Sequence, residues 1–196
     1  LRGPGAQMLA VLAAKKGGAT KFAMANLWLM GAKVREQAAS SPAGAAMLHT
    51  TIAPTMLEGS PKENVLPQSA SGLINYRIAP WNSSADVMAR ARKAVGAIPV
   101  TLSWVSPPRE PSKVSSTQSD SWRLLSAAAN ADTPGIAVAP YLVVAGTDSR
   151  SFQDISTDVY RFLPIHVKLT EAKMIHGTNE HMTFDNLKRA IDFYAR

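Results

Sequence analysis

The sequence contains no cysteine in 196 residues, which excludes a disulfide framework and any thiolate metal site. No apolar run approaches the roughly 18–20 residues needed to cross a bilayer, so no membrane segment is expected in this chain. A signal peptide requires a basic start, an apolar stretch and a small-residue cleavage site in that order. Leu1-Arg2-Gly3-Pro4-Gly5 lacks that order, the chain does not open with Met, and it reads as starting within something longer. Charge is sparse at 18% of residues against 46% hydrophobic, a balance that favours folding over disorder. The missing cysteine leaves the compartment open.

The net charge of +7 and a pI near 9.9 raise the question of a polyanionic partner. The basic residues are scattered, however, at Lys15, Lys16, Arg35, Arg90, Arg92, Lys93, Arg109, Lys168, Lys188 and Arg189. Several fall at helical spacings that suit a solvated face, and no nucleic-acid partner is expected.

Along the chain, Ala6–Lys15 carries apolar residues on one side and stops at Gly17-Gly18, which predicts a helix. A longer helix is expected from Lys21 to Ala39, ended by Ser40-Ser41-Pro42. His49–Leu57 and Ser69–Ala79 read as strands flanking a turn cluster at Gly59–Asn64. In the second of these, Leu73, Asn75 and Arg77 alternate with Ile74, Tyr76 and Ile78, the pattern of one buried and one polar face. Ser83 or Ser84 caps a helix from Ala85 to Val95. Pro99–Val105 is expected to be a further strand.

The proline- and serine-rich stretch Ser106–Ser119 is a connector and the natural domain boundary. Beyond it the pattern predicts a helix at Asp120–Ala131, strands at Tyr141–Ala145 and Val159–Pro164, and a short helical or irregular segment near Arg150–Ile155. An amphipathic helix from Phe184 to Tyr194 closes the chain. Strands and helices in this order indicate an antiparallel sheet with helices on one face, followed by a piece of an α/β layer.

Three stretches carry polar groups of chemical interest: Glu63–Pro67 with Asn75-Tyr76-Arg77, Gly146–Arg150, and Ile175–Glu180. Singly, each has a plain structural reading. Asn64 suits a turn, Arg77 a surface position, Asp148 a helix cap and His176 a loop. Together and in this order, the runs TTIAPTML, NVLP, N-x-R, GTDSR-F, YRF-P and IHG-NE resemble the zinc-dependent aminoacylases and carboxypeptidases. The resemblance covers the chain from Ala43 onward and is nearest to the carboxypeptidase-S and N-acyl-amino-acid hydrolase branch. The helices before Ala43 match more loosely, as lid insertions.

The resemblance implies a partial lid or dimerisation domain over 1–106 and the C-terminal segment of a dizinc catalytic α/β domain over 107–196. It implies zinc as cofactor and His176 as the last zinc ligand. Asn64 and Arg77 would hold the substrate's free carboxylate, a role suited to a planar guanidinium fork and an amide donor. Gly146 and Thr147 would line the substrate site, Asp148 would shape their loop, and Glu180 would orient the site. The implied partners are an N-acyl amino acid or small peptide, and a second copy paired through the lid. The other metal ligands of that family and its Glu-Glu general base have no counterpart in this sequence. His49, His166 and His181 carry no motif role. Zinc needs about four donors, at least three of them from protein, and hydrolysis needs a base for the attacking water. The isolated chain is therefore expected to be inactive. The alternative is a stand-alone dimerisation or binding module.

Overall fold

The computed structural model describes residues 3–168 and 171–195. The described residues form an α+β fold with one two-stranded antiparallel sheet and helices, and the chain divides into two compact units. The first unit comprises Leu1–Val114 and Ala139–Gly146, and the second Ser115–Val138 and Thr147–Arg196.

The first unit opens with α1 (Gly3–Ala14), α2 (Gly18–Ala25), α3 (Leu27–Ala39) and α4 (Pro42–Leu48). The single helix expected over 21–39 is instead broken at Asn26. Its backbone N–H and its Nδ2 both donate to the Phe22 carbonyl, at 3.0 and 2.9 Å, which ends one helix before the next begins. Asparagine competes for backbone hydrogen bonds in this way, and propensity over the window does not register it. Ser40-Ser41-Pro42 ends α3 as expected but also starts α4. Ser41 Oγ accepts the Gly44 N–H at 3.1 Å, and Pro42 takes the first turn, where its missing N–H costs nothing. Gly44 is required there, because a Cβ at that position would collide with the Ala38 carbonyl oxygen.

Strands β1 (Thr51–Glu58) and β2 (Ser71–Arg77) pair antiparallel from Thr51↔Arg77 to Glu58↔Ser71, with an irregularity between Pro54 and Met56. Proline cannot donate to a ladder, which suits a bulged or edge position. Thr50, just before β1, is buried. Its hydroxyl accepts the Ala79 N–H and donates to Asn82 Oδ1, each at 3.0 Å, tying the start of the hairpin to the turn that ends it. The alternation in β2 buries less than the pattern promises: Leu73 and Ile74 are exposed, and only Tyr76 and Ile78 are half-buried. Helix α5 (Ser84–Val95) begins at a full capping box between Ser83 and Asp86 and ends at Gly96, whose φ of 57° is one that glycine adopts readily. Glu110, from the connector, accepts the Ser84 N–H at 3.0 Å and the Ser84 hydroxyl.

The second unit contains α6 (Asp120–Asp132), a 3-10 turn at Asp148–Phe152, another at Glu171–Met174, and α7 (Phe184–Tyr194). Ser119 and Thr183 cap α6 and α7 through their hydroxyls. Arg189 on α7 joins Asp132 at the end of α6 at 2.7 Å. Tyr194 donates to the Phe162 carbonyl at 2.8 Å, and the rings of Phe162 and Phe193 lie 5.2 Å apart.

Three segments expected as strands, 99–105, 141–145 and 159–164, belong to no ladder among the described residues. β-Branched composition marks a fit to a pleated surface and supplies no partner strand. Side chains replace the ladder bonds in part. Ser115 Oγ accepts the Val159 N–H at 2.8 Å and donates to the Val159 carbonyl at 3.0 Å.

Candidate functional site

The residues expected to bind substrate and metal fall in both units, and each set is described within its own. In the first unit, Asn64 lies in the connection between β1 and β2. A turn that closes from the Val65 N–H to the Lys62 carbonyl at 3.3 Å holds it. Arg77 ends β2 and is exposed; its Nη1 approaches the Val144 carbonyl at 3.5 Å, two residues before Gly146. Arg77 and the Gly146 segment are thus brought together. Asn64 belongs to the loop that joins β1 at Glu58 to β2 at Ser71, at the end of β2 opposite Arg77. A small apolar cavity of about 180 Å³, bordered by Met8, Leu9, Met47, Leu48 and Trp81, contains none of the expected site residues.

In the second unit, Thr147 precedes the 3-10 turn that begins at Asp148. The hydroxyls of Thr147 and Ser149 meet each other, and Arg161 Nε donates to both, at 3.1 Å and 2.6 Å. Asp148 is exposed and supplies no side-chain bond to this group. Ser149 and Arg161 were not singled out from sequence as site residues. Their signal was present in the GTDSR and YRF runs, but the contact between them spans 12 residues and only the fold displays it.

His176 adopts φ 61°, and it and Asn179 (φ 64°) are the non-glycine residues with positive φ among those described. Few side chains tolerate that region, histidine and asparagine better than most. The turn is closed by the Gly177 N–H to the Met174 carbonyl at 2.8 Å, and Glu180 Oε2 accepts the His176 N–H at 2.9 Å. Glu180 therefore holds the backbone of His176, and no bond to the imidazole occurs among the described residues. His181 is engaged differently, with Nδ1–H donating to the Asn179 carbonyl at 2.7 Å.

A zinc site would need at least three such donors converging. Among the described residues no three of His, Cys, Asp and Glu group in that way. Glu180, the carboxylate nearest His176 in the turn, is turned to a backbone amide. These residues alone do not fit a metal ion, and no chemical step through one is derived from them. No described helix is long and apolar enough to cross a membrane.

Residues 5–101 match the family model described as the peptidase dimerisation domain of the M20 type. That match begins within α1, so it takes in the helices that sequence reading treated as looser insertions. Among curated proteins, the chain is 32% identical to "Probable carboxypeptidase S-like 2" of Dictyostelium discoideum, over 89% of this chain and 34% of that protein. It is 30% identical to "N-fatty-acyl-amino acid synthase/hydrolase PM20D1" of Xenopus tropicalis, over 99% of this chain and 38% of that protein. The human protein of the same name is 28% identical over 87% of this chain and 34% of its own length. The chain thus spans little more than a third of the length of these relatives. No solved structure matches it. A dimerisation-domain match over the first half, joined to carboxypeptidase-S-like relatives across nearly all of the sequence, establishes that the chain belongs to the M20 peptidase family.

Proposed function

We propose that this chain is part of a zinc-dependent amidohydrolase that cleaves the amide bond of N-acyl amino acids or small peptides bearing a free carboxylate. Residues 1–106 would form the lid or dimerisation domain, and 107–196 the end of the catalytic domain. The observation that carries the reading is Arg77. It is an exposed guanidinium at the end of β2, set against the Val144 carbonyl close to Gly146. A planar fork of donors so placed suits a carboxylate. The names of the relatives, carboxypeptidase S-like and N-fatty-acyl-amino acid synthase/hydrolase, support the same substrate class.

In this reading Arg77 holds the carboxylate and Asn64 adds an amide donor to it. The clamp requires the Asn64 loop to reach along the sheet toward Arg77. The chain from Asn64 to Ser71 is long enough, since seven residues reach roughly 23 Å when extended. Gly146 and Thr147 line the site, Asp148 shapes the loop and Glu180 holds His176 in the conformation that presents its ring. His176 is the ligand this chain supplies to a metal centre completed by other residues, and the 196 residues alone are inactive. The protein works as a homodimer paired through the lid. The test is hydrolysis of an N-acyl amino acid by an active protein containing this chain, against the same compound with its carboxylate amidated. Preference for the free acid supports the reading, and equal rates on both refute the carboxylate clamp.

The second reading, a stand-alone dimerisation or binding module, draws on the β1–β2 sheet. Ile52, Leu57, Leu73 and Ile74 are exposed on it, and exposed apolar strands are surfaces for association. A protein containing this chain that dimerises and hydrolyses no amide would favour that reading.

A further inference from the structure

We propose that the outward face of α3, carrying Trp28, Leu29, Lys33 and Arg35, docks on the surface of an anionic lipid bilayer. The net charge of +7 is not spread evenly over the chain. The first unit holds 13 Lys and Arg against five Asp and Glu, and the second holds eight against nine. Between residues 3 and 41 the basic residues are Lys15, Lys16, Lys21, Lys33 and Arg35, and the sole acid is Glu36. Neither Lys33 nor Arg35 enters an ion pair among the described residues.

The helical repeat divides α3 into two sides. Leu27, Met30, Val34 and Ala38 share one side and are half-buried, and α3 packs against α2 and α4. Trp28 and Arg35 lie two turns apart on the other side, with Leu29 and Lys33 beside them, and all four are exposed. Trp28 is 84% exposed and Leu29 55%. A face made only for water would carry polar residues throughout. This one joins a tryptophan and a leucine to two cations one to two turns further along. Tryptophan favours the level of the lipid headgroups, and a nearby cation is attracted to anionic lipid. Two copies of so basic a face would repel each other. Arg35 also borders the apolar cavity beside Met8 and Trp81, so hydrocarbon has room next to a headgroup cation. No described helix can cross a membrane, and the contact is therefore one of the surface.

The experiment is co-sedimentation of the full protein containing this chain with two kinds of vesicle. One is phosphatidylcholine alone, and the other contains about 30% phosphatidylserine. Strong binding to the anionic vesicles, weak binding to the neutral ones and loss at high salt are expected. Trp28→Ala should weaken the binding by roughly tenfold, with Trp28→Phe recovering most of it. Lys33→Gln combined with Arg35→Gln should weaken it by roughly 30-fold, since each cation at such a surface is worth about fivefold. Where Trp28→Ala does not fold, the double charge variant decides. A wild type that stays off anionic vesicles, or variants that bind them as the wild type does, overturns the docking site. So does binding that is equal on neutral vesicles. Trp28→Ala that turns a dimer into a monomer without changing vesicle binding assigns the face to a second copy and overturns it too. Vesicle binding is read without any hydrolysis, so its outcome is separate from that of the amidohydrolase reading.

Discussion

Asn186 pairs with the backbone of His166 as a neighbouring strand would. Its Oδ1 accepts the His166 N–H and its Nδ2 donates to the His166 carbonyl, both at 2.9 Å. One amide side chain on α7 thereby fastens the extended segment that precedes residue 169. Asn186→Ala should destabilise the protein by about 1 kcal/mol, the lower part of the usual range because both bonds are open to solvent. Asn186→Asp keeps the acceptor, loses the donor and should fall between. Denaturant unfolding checks this, and an unchanged midpoint for Asn186→Ala would remove the role.

The start of α5 predicts a pH response. Asp86 titrates below its ordinary value of 3.8, first because the Ser83 backbone N–H donates to its carboxylate, then because the Ser83 hydroxyl does, with Arg90 adding favourable charge. A lowered native pKa makes this contribution complete above the ordinary carboxylate value. It is lost as pH falls through the lowered one. Following the Asp86 carboxyl carbon by NMR should show a midpoint under 3.8; a midpoint at or above it would contradict the capping geometry. Ser83→Ala should cost about 1 kcal/mol.

Gly44→Ala should destabilise by more than about 1 kcal/mol. The new methyl meets a backbone carbonyl, that of Ala38, which cannot swing aside as a flexible side chain would. Thermal melting of the variant tests this. A wild-type melting temperature would mean that α3 and α4 separate at little cost.

The legible parts of the sequence were those governed by local chemistry. The serine cap before α5 and the amphipathic pattern of α7 fix elements whose bonds close within a few residues. What escaped depended on distant partners. The runs at 99–105, 141–145 and 159–164 have strand composition, but a strand exists only beside another strand. The Asn26 break was missed because a single side chain overrode a good helical window. At the candidate site, the GTDSR and IHG-NE runs could be read, whereas the attachment of Arg161 to Thr147 and Ser149 could not. It joins residues separated by more than a turn of any regular element.

Arg77→Ala, in an active protein containing this chain, should raise KM by roughly 10- to 100-fold and leave kcat nearly unchanged. Arg77→Lys should recover only part of this, since an ammonium lacks the planar fork. Steady-state kinetics decide, and an unaltered KM would remove Arg77 from the carboxylate site.

The dimer reading predicts that the protein sediments as two copies, and that Leu57→Glu shifts it toward the monomer. Leu57 is 86% exposed on β1, and a carboxylate there could not be buried without heavy cost. Analytical ultracentrifugation reads the outcome, and a monomeric wild type would contradict it.

The proposed role of His176 is to supply one ligand to a metal centre completed by other residues. Anomalous diffraction from crystals of an active protein containing this chain should place a zinc ion about 2.0–2.1 Å from an imidazole nitrogen of His176. Bound metal lying well away from that ring would remove His176 from the metal centre.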